Sequence, residues 1–399
     1  MPSSFSPYIE IVNPSPPRSM QSQSVISKLC LGSLLLLSSC NGSQQAETGN
    51  PKIVILGSLT GVGQDIIEEA LAPLTDATGI EIIYEGTDAF ATVLPIRVEG
   101  GDPPDIALFP QPGLMADLAR SGDMVPLELD LGAAYAADWI DLGSVDETLY
   151  GVWMRADLKS LVWYSPGAFE QAGYAIPRTW DELIALSDQM VAEGQVPWCL
   201  AMESGDASGW VGTDWIEDIL LRTAGPTVYD QWVAHDIPFT AEPIQAALEQ
   251  FGQIALNPDY VYGGSTGVIS IPFGDSPTPL FADPPGCYLH RQASFIADFL
   301  PESVVPGEDV QVFLLPGAAP DPPLLTGGLV FGLLKDTPAG RQVMDYLATV
   351  EPHQSWAARG YISPHQAVDL STYPNDLVRQ QAEILQQATT IRFDGSDLM

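Results

Sequence analysis

The sequence predicts an α/β protein of two lobes, and three of its segments support that prediction. Between residues 52 and 109, short apolar strands alternate with helical patterns in the order β-α-β-α-β, which is typical of a parallel sheet with right-handed crossovers. The aromatic segment 151–164 would cross to the second lobe. Residues 197–218 then add a strand, a polar loop and a helix start. We therefore expect lobe 1 over residues 52–155 and lobe 2 over residues 156–295.

The N-terminal region resembles a bacterial export signal. Two basic residues, Arg18 and Lys28, precede an apolar run at 29–37 that is too short to span a bilayer as a stable helix. The run ends in Leu-Ser-Ser-Cys, which resembles a lipobox and implies a signal peptide over residues 1–39 and lipidation of the Cys40 thiol. Residues 40–51 are polar, and we expect them to form a flexible tether.

The first lobe should present polar side chains where its strands end. We expect strands at 52–57, 80–84 and 106–109, separated by helices at 64–78 and 89–99. Open α/β sheets bind ligands at the carboxyl ends of their strands. The candidate binding residues there are Glu85, Thr87 and Gln111.

The segment 197–218 combines tryptophans with carboxylates, which suits a sugar site. A sugar ring has an apolar face that stacks on an indole, and its hydroxyl groups need fixed acceptors. We expect a buried strand ending before Glu203, a helix capped by Thr213 or Asp214, and an exposed Trp210 in the loop between them. Glu203 and Asp214 are the candidate acceptors. A place in the core remains the alternative for each tryptophan.

Cations are scarce in this chain, so those beside aromatic residues are candidates for a functional role. The sequence has 15 Lys and Arg residues against 51 Asp and Glu. Arg155 and Lys159 lie in the crossing segment, while Arg291 and Gln292 follow the expected strand through Cys287. We predict that these four side chains bind ligand, and a solvated loop charge is the open alternative for Arg155 and Lys159.

The net charge of −36 excludes some partners. It argues against nucleic acid and against anionic membrane surfaces. A hydrophobic content of 46% is too high for a disordered acidic chain. Adaptation to saline surroundings and a plain acidic surface both remain open. The dinucleotide-binding and P-loop patterns are missing from the sequence, so we expect no cofactor and no metal.

Two further segments resemble a known family. The run Gly-Asp-Pro-Pro-Asp-Ile at 101–106 and Pro-Arg-Thr-Trp-Asp-Glu-Leu at 177–183 resemble extracellular solute-binding proteins of ABC importers, in the maltose and multiple-sugar family. By itself, the second run shows only a helix start with a capping box. The resemblance implies a periplasmic-binding-protein fold with a hinge and a ligand cleft between two lobes. It also implies return segments of lobe 1 near 296–350 and C-terminal helices of lobe 2 near 351–399.

Within that family, three stretches resemble the branch that binds α-glucosides. They are residues 197–199, 212–218 and 286–295, in which Cys199 and Cys287 fall at matching places. One disulfide between these cysteines is expected in an exported domain, with two buried free thiols as the alternative. The resemblance implies a small glucoside such as glucosylglycerol, trehalose or sucrose as ligand.

The resemblance also implies roles for the later part of the chain and for its partners. Gly327 and Gly328 would let the return strand approach a ligand, and Arg359 would reach the sugar. The protein would be a monomer held by its lipid at the outer face of a membrane, periplasmic or extracellular, and would deliver its sugar to the permease subunits. It would not be an enzyme.

The competing hypothesis is a secreted glycoside hydrolase. Such an enzyme needs two carboxylates facing each other about 5–10 Å apart. With 51 acidic residues, a pair can always be nominated, so that criterion discriminates nothing. The sequence lacks His-Glu-x-x-His and Gly-x-Ser-x-Gly. The binding protein is therefore the favoured hypothesis.

Overall fold

The computed structural model describes residues 50–317 and 323–399, which form strands, α-helices and short 3-10 turns. The strands are β1 (Lys52–Gly57), β2 (Glu81–Gly86), β3 (Ile106–Phe109), β4 (Ser144–Val145), β5 (Thr148–Leu149), β6 (Gly151–Leu158), β7 (Leu161–Tyr164), β8 (His290–Arg291), β9 (Gln311–Leu314), β10 (Leu324–Leu333) and β11 (Ile391–Phe393). The helices are α1 (Val62–Thr78), α2 (Phe90–Glu99), α3 (Pro112–Ser121), α4 (Ala137–Leu142), α5 (Pro166–Ala172), α6 (Trp180–Ala192), α7 (Trp210–Ala224), α8 (Pro226–Val233), α9 (Glu242–Ala255), α10 (Gly264–Ser270), α11 (Pro338–Leu347), α12 (Val350–Ala358) and α13 (Asp376–Gln387).

The first sheet confirms the predicted parallel arrangement at the start of the chain. Its strand order is β11-β10-β3-β1-β2, and β1 pairs in parallel with both β2 and β3. Strand β10 runs antiparallel to β3 on one side and to β6 on the other. Strand β10, which contains Gly327 and Gly328, is one continuous, fully buried strand. This central strand brings the late part of the chain against the carboxyl ends of β1 and β3.

The second sheet is smaller and is continued by isolated bridges. Strand β7 lies between β8 and β9 and is antiparallel to both. The strand expected before Glu203 is not regular: Trp198 forms single bridges with Val261 and Leu289, and Glu203 forms one with Pro272. These contacts extend the second sheet through short pieces of chain, which a window of sequence cannot distinguish from loop.

Buried apolar residues form two large clusters, one around each sheet. The first contains side chains of β1, β3, β6 and β10, while the second is built around α6, α7 and α9. The crossing from β6 to β7 is short, since Leu158 ends one strand and Leu161 begins the other. None of the helices in the described part of the chain is long and apolar enough to cross a membrane.

Two expectations about helices require correction. Helix α7 begins at Trp210 after Gly209, so neither Thr213 nor Asp214 is its N-cap. The C-terminal helices were expected in lobe 2, but Trp356 of α12 and Leu377 of α13 pack in the first cluster. The pairing of β11 with β10 explains this placement, because it fastens the end of the chain to the first sheet.

Candidate functional site

A cavity of about 590 Å³ opens where the loops of the first sheet face segments that flank the second sheet. The first sheet contributes the loop after β1, the residue after β3, and parts of β6 and β10. The opposite wall comes from short 3-10 turns at Phe273–Asp275 and Ser294–Phe299. The lining residues are Ser58, Leu59, Thr60, Val62, Gly63, Asp88, Pro110, Arg155, Asp157, Lys159, Phe273, Phe295, Asp298, Phe299, Gly327, Gly328, Leu329, Tyr361 and Asp397.

One side of the cavity is organised around Arg155. Its Nε donates to Asp157 Oδ1 at 2.8 Å. The guanidinium lies over the ring of Tyr361, 4.5 Å from the centroid, and 5.6 Å from the centroid of Phe295. The Tyr361 hydroxyl in turn donates to Asp298 Oδ2 at 2.9 Å. A planar cation fixed between two rings and a carboxylate is a preorganised donor for sugar oxygens.

The other side is organised around Lys159, which is 6% exposed. Its Nζ donates to Asp214 Oδ1 at 3.0 Å and to Asp394 Oδ2, and lies 3.8 Å from Asp397 Oδ2. Burial alone would lower the pKa of Lys159, but Asp214 and Asp394 outweigh it and raise that pKa well above its usual value. The ammonium therefore stays charged beside the cavity.

The carboxylates around Lys159 do not share one protonation state. Burial raises the pKa of Asp214 well above its ordinary value, and Lys159 opposes that shift. Burial also acts to raise the pKa of Asp394, but Lys159 and hydrogen bonds hold it far below the usual range. Glu217 lies behind them, and burial followed by repulsion from Asp394 raises its pKa. Asp394 is therefore ionised and forms an ion pair with the charged Lys159.

Two of the predicted ligand contacts lie behind this layer. Arg291 is 1% exposed, and its Nη2 donates to Asp218 Oδ2 at 3.2 Å, while its Nη1 lies 3.7 Å from Asp214 Oδ2. Asp218 also accepts from Arg222 Nε at 2.8 Å. Arg291 therefore fixes Asp214, and Asp214 in turn fixes Lys159. Each of these buried charges needs such a partner because water does not reach it.

Gln292 also faces the interior. Its Oε1 accepts from the backbone N–H of Ala293 at 2.8 Å, and its carbonyl accepts from Trp163 Nε1 at 2.9 Å. It is fully buried and does not line the cavity.

The two predicted glycines line the cavity, and they also allow the segment 155–159 to approach β10 closely. A Cβ atom at Gly328 would lie 2.3 Å from the carbonyl oxygen of Arg155, and one at Gly327 would lie 2.7 Å from Lys159 Cε. Both distances are shorter than side-chain contacts allow. The glycines therefore let Arg155 of β6, and Lys159 directly after that strand, lie against β10.

Trp210 lies behind the aromatic wall and not in it. Its ring is 5.2 Å from that of Phe273 and 5.7 Å from that of Phe295, and both phenylalanines line the cavity while Trp210 does not. Phe299, whose ring is 5.1 Å from Phe273, is 41% exposed. Across the opening, Val62 is 66% exposed. The apolar surface of the cavity is thus formed by phenylalanines, which were not among the predicted site residues.

Besides Trp210, Asp214, Arg291 and Gln292, five more predicted residues lie outside the cavity lining. Glu85 pairs with Arg97 at 2.6 Å, and Thr87 Oγ1 accepts from the backbone N–H of Ala89. Glu85 lies near the end of β2 and Thr87 directly follows it, and β2 is at the edge of the sheet. Gln111 precedes α3, and Glu203 accepts from the backbone N–H of Gly205 at 2.8 Å. Arg359 forms an exposed ion pair with Glu69 of α1, so Tyr361, two residues later, is the one that reaches the cavity.

The cysteines separate into two cases. Cys199 and Cys287 form a disulfide with Cα atoms 5.5 Å apart, in a small apolar cluster away from the cavity lining. Cys40 lies outside the described residues, as do the predicted signal peptide and most of the predicted tether. Within residues 50–317 and 323–399, the acidic, histidine and cysteine side chains form no group arranged to hold a metal ion.

Comparison with known proteins agrees with this architecture. Residues 57–353 match the bacterial extracellular solute-binding protein family. The chain is 53% identical over 376 residues to the osmoprotective compounds-binding protein GgtB of Synechocystis, covering 92% of this chain and 89% of that protein. It is 42% identical over 363 residues to the alpha-glucosides-binding periplasmic protein AglE of Rhizobium meliloti, covering 87% and 79%.

A solved structure shows the same fold at low sequence identity. The bacterial solute receptor AcbH, described as having a preference for β-D-galactopyranose, superposes with a TM-score of 0.74 at 19% identity, covering 88% of this chain and 90% of that one. The two-lobe α/β fold with a cleft is therefore shared. The chain belongs to the family of bacterial extracellular solute-binding proteins.

Proposed function

We propose that this protein captures a small α-glucoside or a related osmoprotective solute and presents it to the membrane subunits of an ABC importer. The observation that supports this most is the cavity of about 590 Å³, in which two buried cations and their carboxylates face a wall of phenylalanines. Its volume is in the range of ligand pockets for small molecules. Polar groups on one side and aromatic rings on the other suit the rim and the face of a sugar.

The chemical class of the ligand follows from the charges on the lining. Two cations, Arg155 and Lys159, face four carboxylates, those of Asp88, Asp157, Asp298 and Asp397. A surplus of carboxylates disfavours anionic ligands, and the carboxylate oxygens can accept hydrogen bonds from the hydroxyl groups of a neutral ligand. GgtB is named for osmoprotective compounds and AglE for alpha-glucosides, which agrees with a neutral glucoside. Glucosylglycerol, trehalose and sucrose are the ligands we expect.

Closure of the cleft would complete the site. Val62 and Phe299 are exposed apolar side chains on opposite sides of the opening. Bending at the short crossing between β6 and β7 would bring these sides together, bury the ligand and create the form that the permease recognises. Lipidation of Cys40 would keep the protein at the membrane. Replacement of Cys40 by Ser should release it into the soluble fraction if that proposal is correct.

The direct test is calorimetric titration of the lipid-free protein with glucosylglycerol, trehalose, sucrose and maltose, followed by an assay for released glucose. Tight binding of one of the first three with the sugar left intact would support the proposal. Release of glucose would contradict it in favour of a glycoside hydrolase. Silence toward all four sugars would contradict the α-glucoside assignment while leaving the family and the fold unchanged.

A further inference from the structure

The last residues of the chain lie in the wall of the cavity, beside Lys159. We call residues 394–399 the C-terminal strap. The backbone N–H groups of Gly395 and Ser396 donate to the two carboxylate oxygens of Glu217 in α7, at 2.7 and 3.1 Å. The carbonyl of Asp397 accepts from the backbone N–H of Gly113 in α3 at 2.9 Å. The strap is thus fastened to one helix beside the first sheet and to one in the second cluster.

These attachments leave the side chain of Asp397 facing the cavity. It is among the lining residues, and the side chain is 23% exposed. Its neighbour Asp394 is used differently: that carboxylate accepts from Lys159 and from the Ser396 hydroxyl and is 1% exposed. Asp394 therefore anchors the strap, while Asp397 points to the space that a ligand would occupy.

We propose that Asp397 is a ligand-binding residue whose carboxylate accepts hydrogen bonds from hydroxyl groups of the bound glucoside. The inference rests on the function proposed above and adds a residue and an element of structure to it. The distance of 3.8 Å from Asp397 Oδ2 to Lys159 Nζ exceeds hydrogen-bond length. Because an ionised carboxylate can accept about four hydrogen bonds, Asp397 retains acceptor capacity for the ligand.

The surroundings of Asp397 give this role a measurable signature. Burial and then repulsion from Asp394 raise the pKa of Asp397 to about 7, against the opposing effect of Lys159. A hydroxyl group that donates to the ionised form would lower that pKa and release a proton on binding. The other charged groups packed near it or across the cavity are Asp214 and Glu217 of α7, Asp88, Arg155, Asp157 and Asp298.

The experiment is calorimetric titration of three proteins with the four sugars named above: the wild type, Asp397→Asn, and Asp376→Asn as a matched control. Asp376 lies in α13 and pairs with Arg379 on the surface. Titrations at pH 7 in phosphate and in Tris, whose protonation enthalpies differ, count the protons released. We expect Asp397→Asn to bind about tenfold more weakly, since it loses a hydrogen bond to a charged acceptor.

The proton count separates a ligand contact from a structural effect. The wild type and Asp376→Asn should release up to about half a proton per ligand, and Asp397→Asn should release none. Affinity of Asp397→Asn within twofold of the wild type, or unchanged proton release, would overturn the inference. If Asp397→Asn fails to fold, Asp397→Glu keeps the charge and should bind more weakly while still releasing protons; unaltered affinity would overturn the inference. Silence of the wild type toward every sugar would instead remove the proposed function, and the inference with it.

Discussion

The guanidinium of Arg155 lies over the ring of Tyr361, 4.5 Å from its centroid. This contact joins β6 to the segment after α12, which are more than 200 residues apart in sequence but adjacent at the cavity. Since Asp157 holds Arg155 Nε and Asp298 holds the Tyr361 hydroxyl, both partners of the stack are fixed by carboxylates. The orientation of the main donor in the cavity therefore depends on an aromatic side chain.

We expect Tyr361→Leu to weaken sugar binding about tenfold, because Arg155 loses the ring that fixes its plane. Tyr361→Phe keeps the ring and loses only the hydrogen bond to Asp298. Its affinity should stay within about threefold of the wild type. Calorimetric titration measures both variants. Equal affinities of the Leu and Phe variants would contradict the stacking argument. The control is Tyr346→Phe, because the Tyr346 hydroxyl donates to the carbonyl of Ala70 and does not line the cavity.

Lys159→Met should lower the free energy of unfolding by about 3 kcal/mol, because Asp214 and Asp394 would remain buried without their cation. Lys335→Met is the matched control. Lys335 Nζ lies 3.7 Å from Asp105 Oδ1, and the lysine side chain is 40% exposed. Loss of this ion pair should therefore lower the free energy of unfolding by less than about 1 kcal/mol. Urea unfolding measures the difference. Similar losses for the two variants would mean that the buried carboxylates are protonated or solvated when Lys159 is absent.

The sequence predicted the first sheet well because its signals are local. Apolar strands, helical spacing and polar strand ends all occur within residues 52–109, and β1 and β3 have the expected bounds. Thr179 caps α6 as the capping pattern predicts, with its Oγ1 accepting from the backbone N–H of Glu182 at 3.2 Å. A scarce cation beside aromatic strand residues is also a local feature, and Arg155 and Lys159, which it singled out, line the cavity; that they bind ligand stays a prediction.

The rest of the cavity depends on contacts that no local pattern reports. Residues near 351–399 were expected to form helices of lobe 2, but β11 pairs with β10 of the first sheet and positions Asp397 beside Lys159. A strand of three residues is too short to show periodicity. Likewise, the ring of Phe273 lines the cavity and the ring of Trp210 packs behind it. Packing between segments distant in sequence decides which of the two rings faces the cavity.

Reduction of the disulfide should lower stability without changing sugar affinity. Cys199 and Cys287 are separated by 88 residues, and closing a loop of that size is worth about 4 kcal/mol in the chain-entropy account. Neither residue lines the cavity. The variant with both cysteines replaced by Ser should therefore melt at a lower temperature and bind with unchanged affinity. Thiol titration, with and without reductant, of the unfolded protein from which residues 1–40 and thus Cys30 and Cys40 have been removed tests the bond itself; free thiols without reductant would contradict it.

The pH dependence of stability should include a contribution from His353. This side chain is fully buried, and its Nδ1 and Nε2 lie 2.7 Å from Ser363 Oγ and 2.9 Å from the Tyr135 hydroxyl. Burial, and then repulsion from His365, lowers the pKa of His353 from 6.5 to about 3. Between those two values the unfolded chain binds the proton and the folded chain does not. The free energy of unfolding should therefore fall as the pH falls through this window, by about 1 kcal/mol per pH unit from this residue.

His353→Gln should reduce that slope between pH 6.5 and 4, and Ser363→Ala is the matched control. The Ala variant loses a partner of the imidazole but keeps the titrating group, so its stability should fall at every pH by about 1 kcal/mol while the slope remains. Asp214 and Glu217 contribute the opposite slope, because their pKa values are raised and the folded chain binds the extra protons. Both variants retain these carboxyl groups, so the difference in slope isolates His353. Parallel curves for His353→Gln and the wild type would show that folding does not lower the pKa of this histidine.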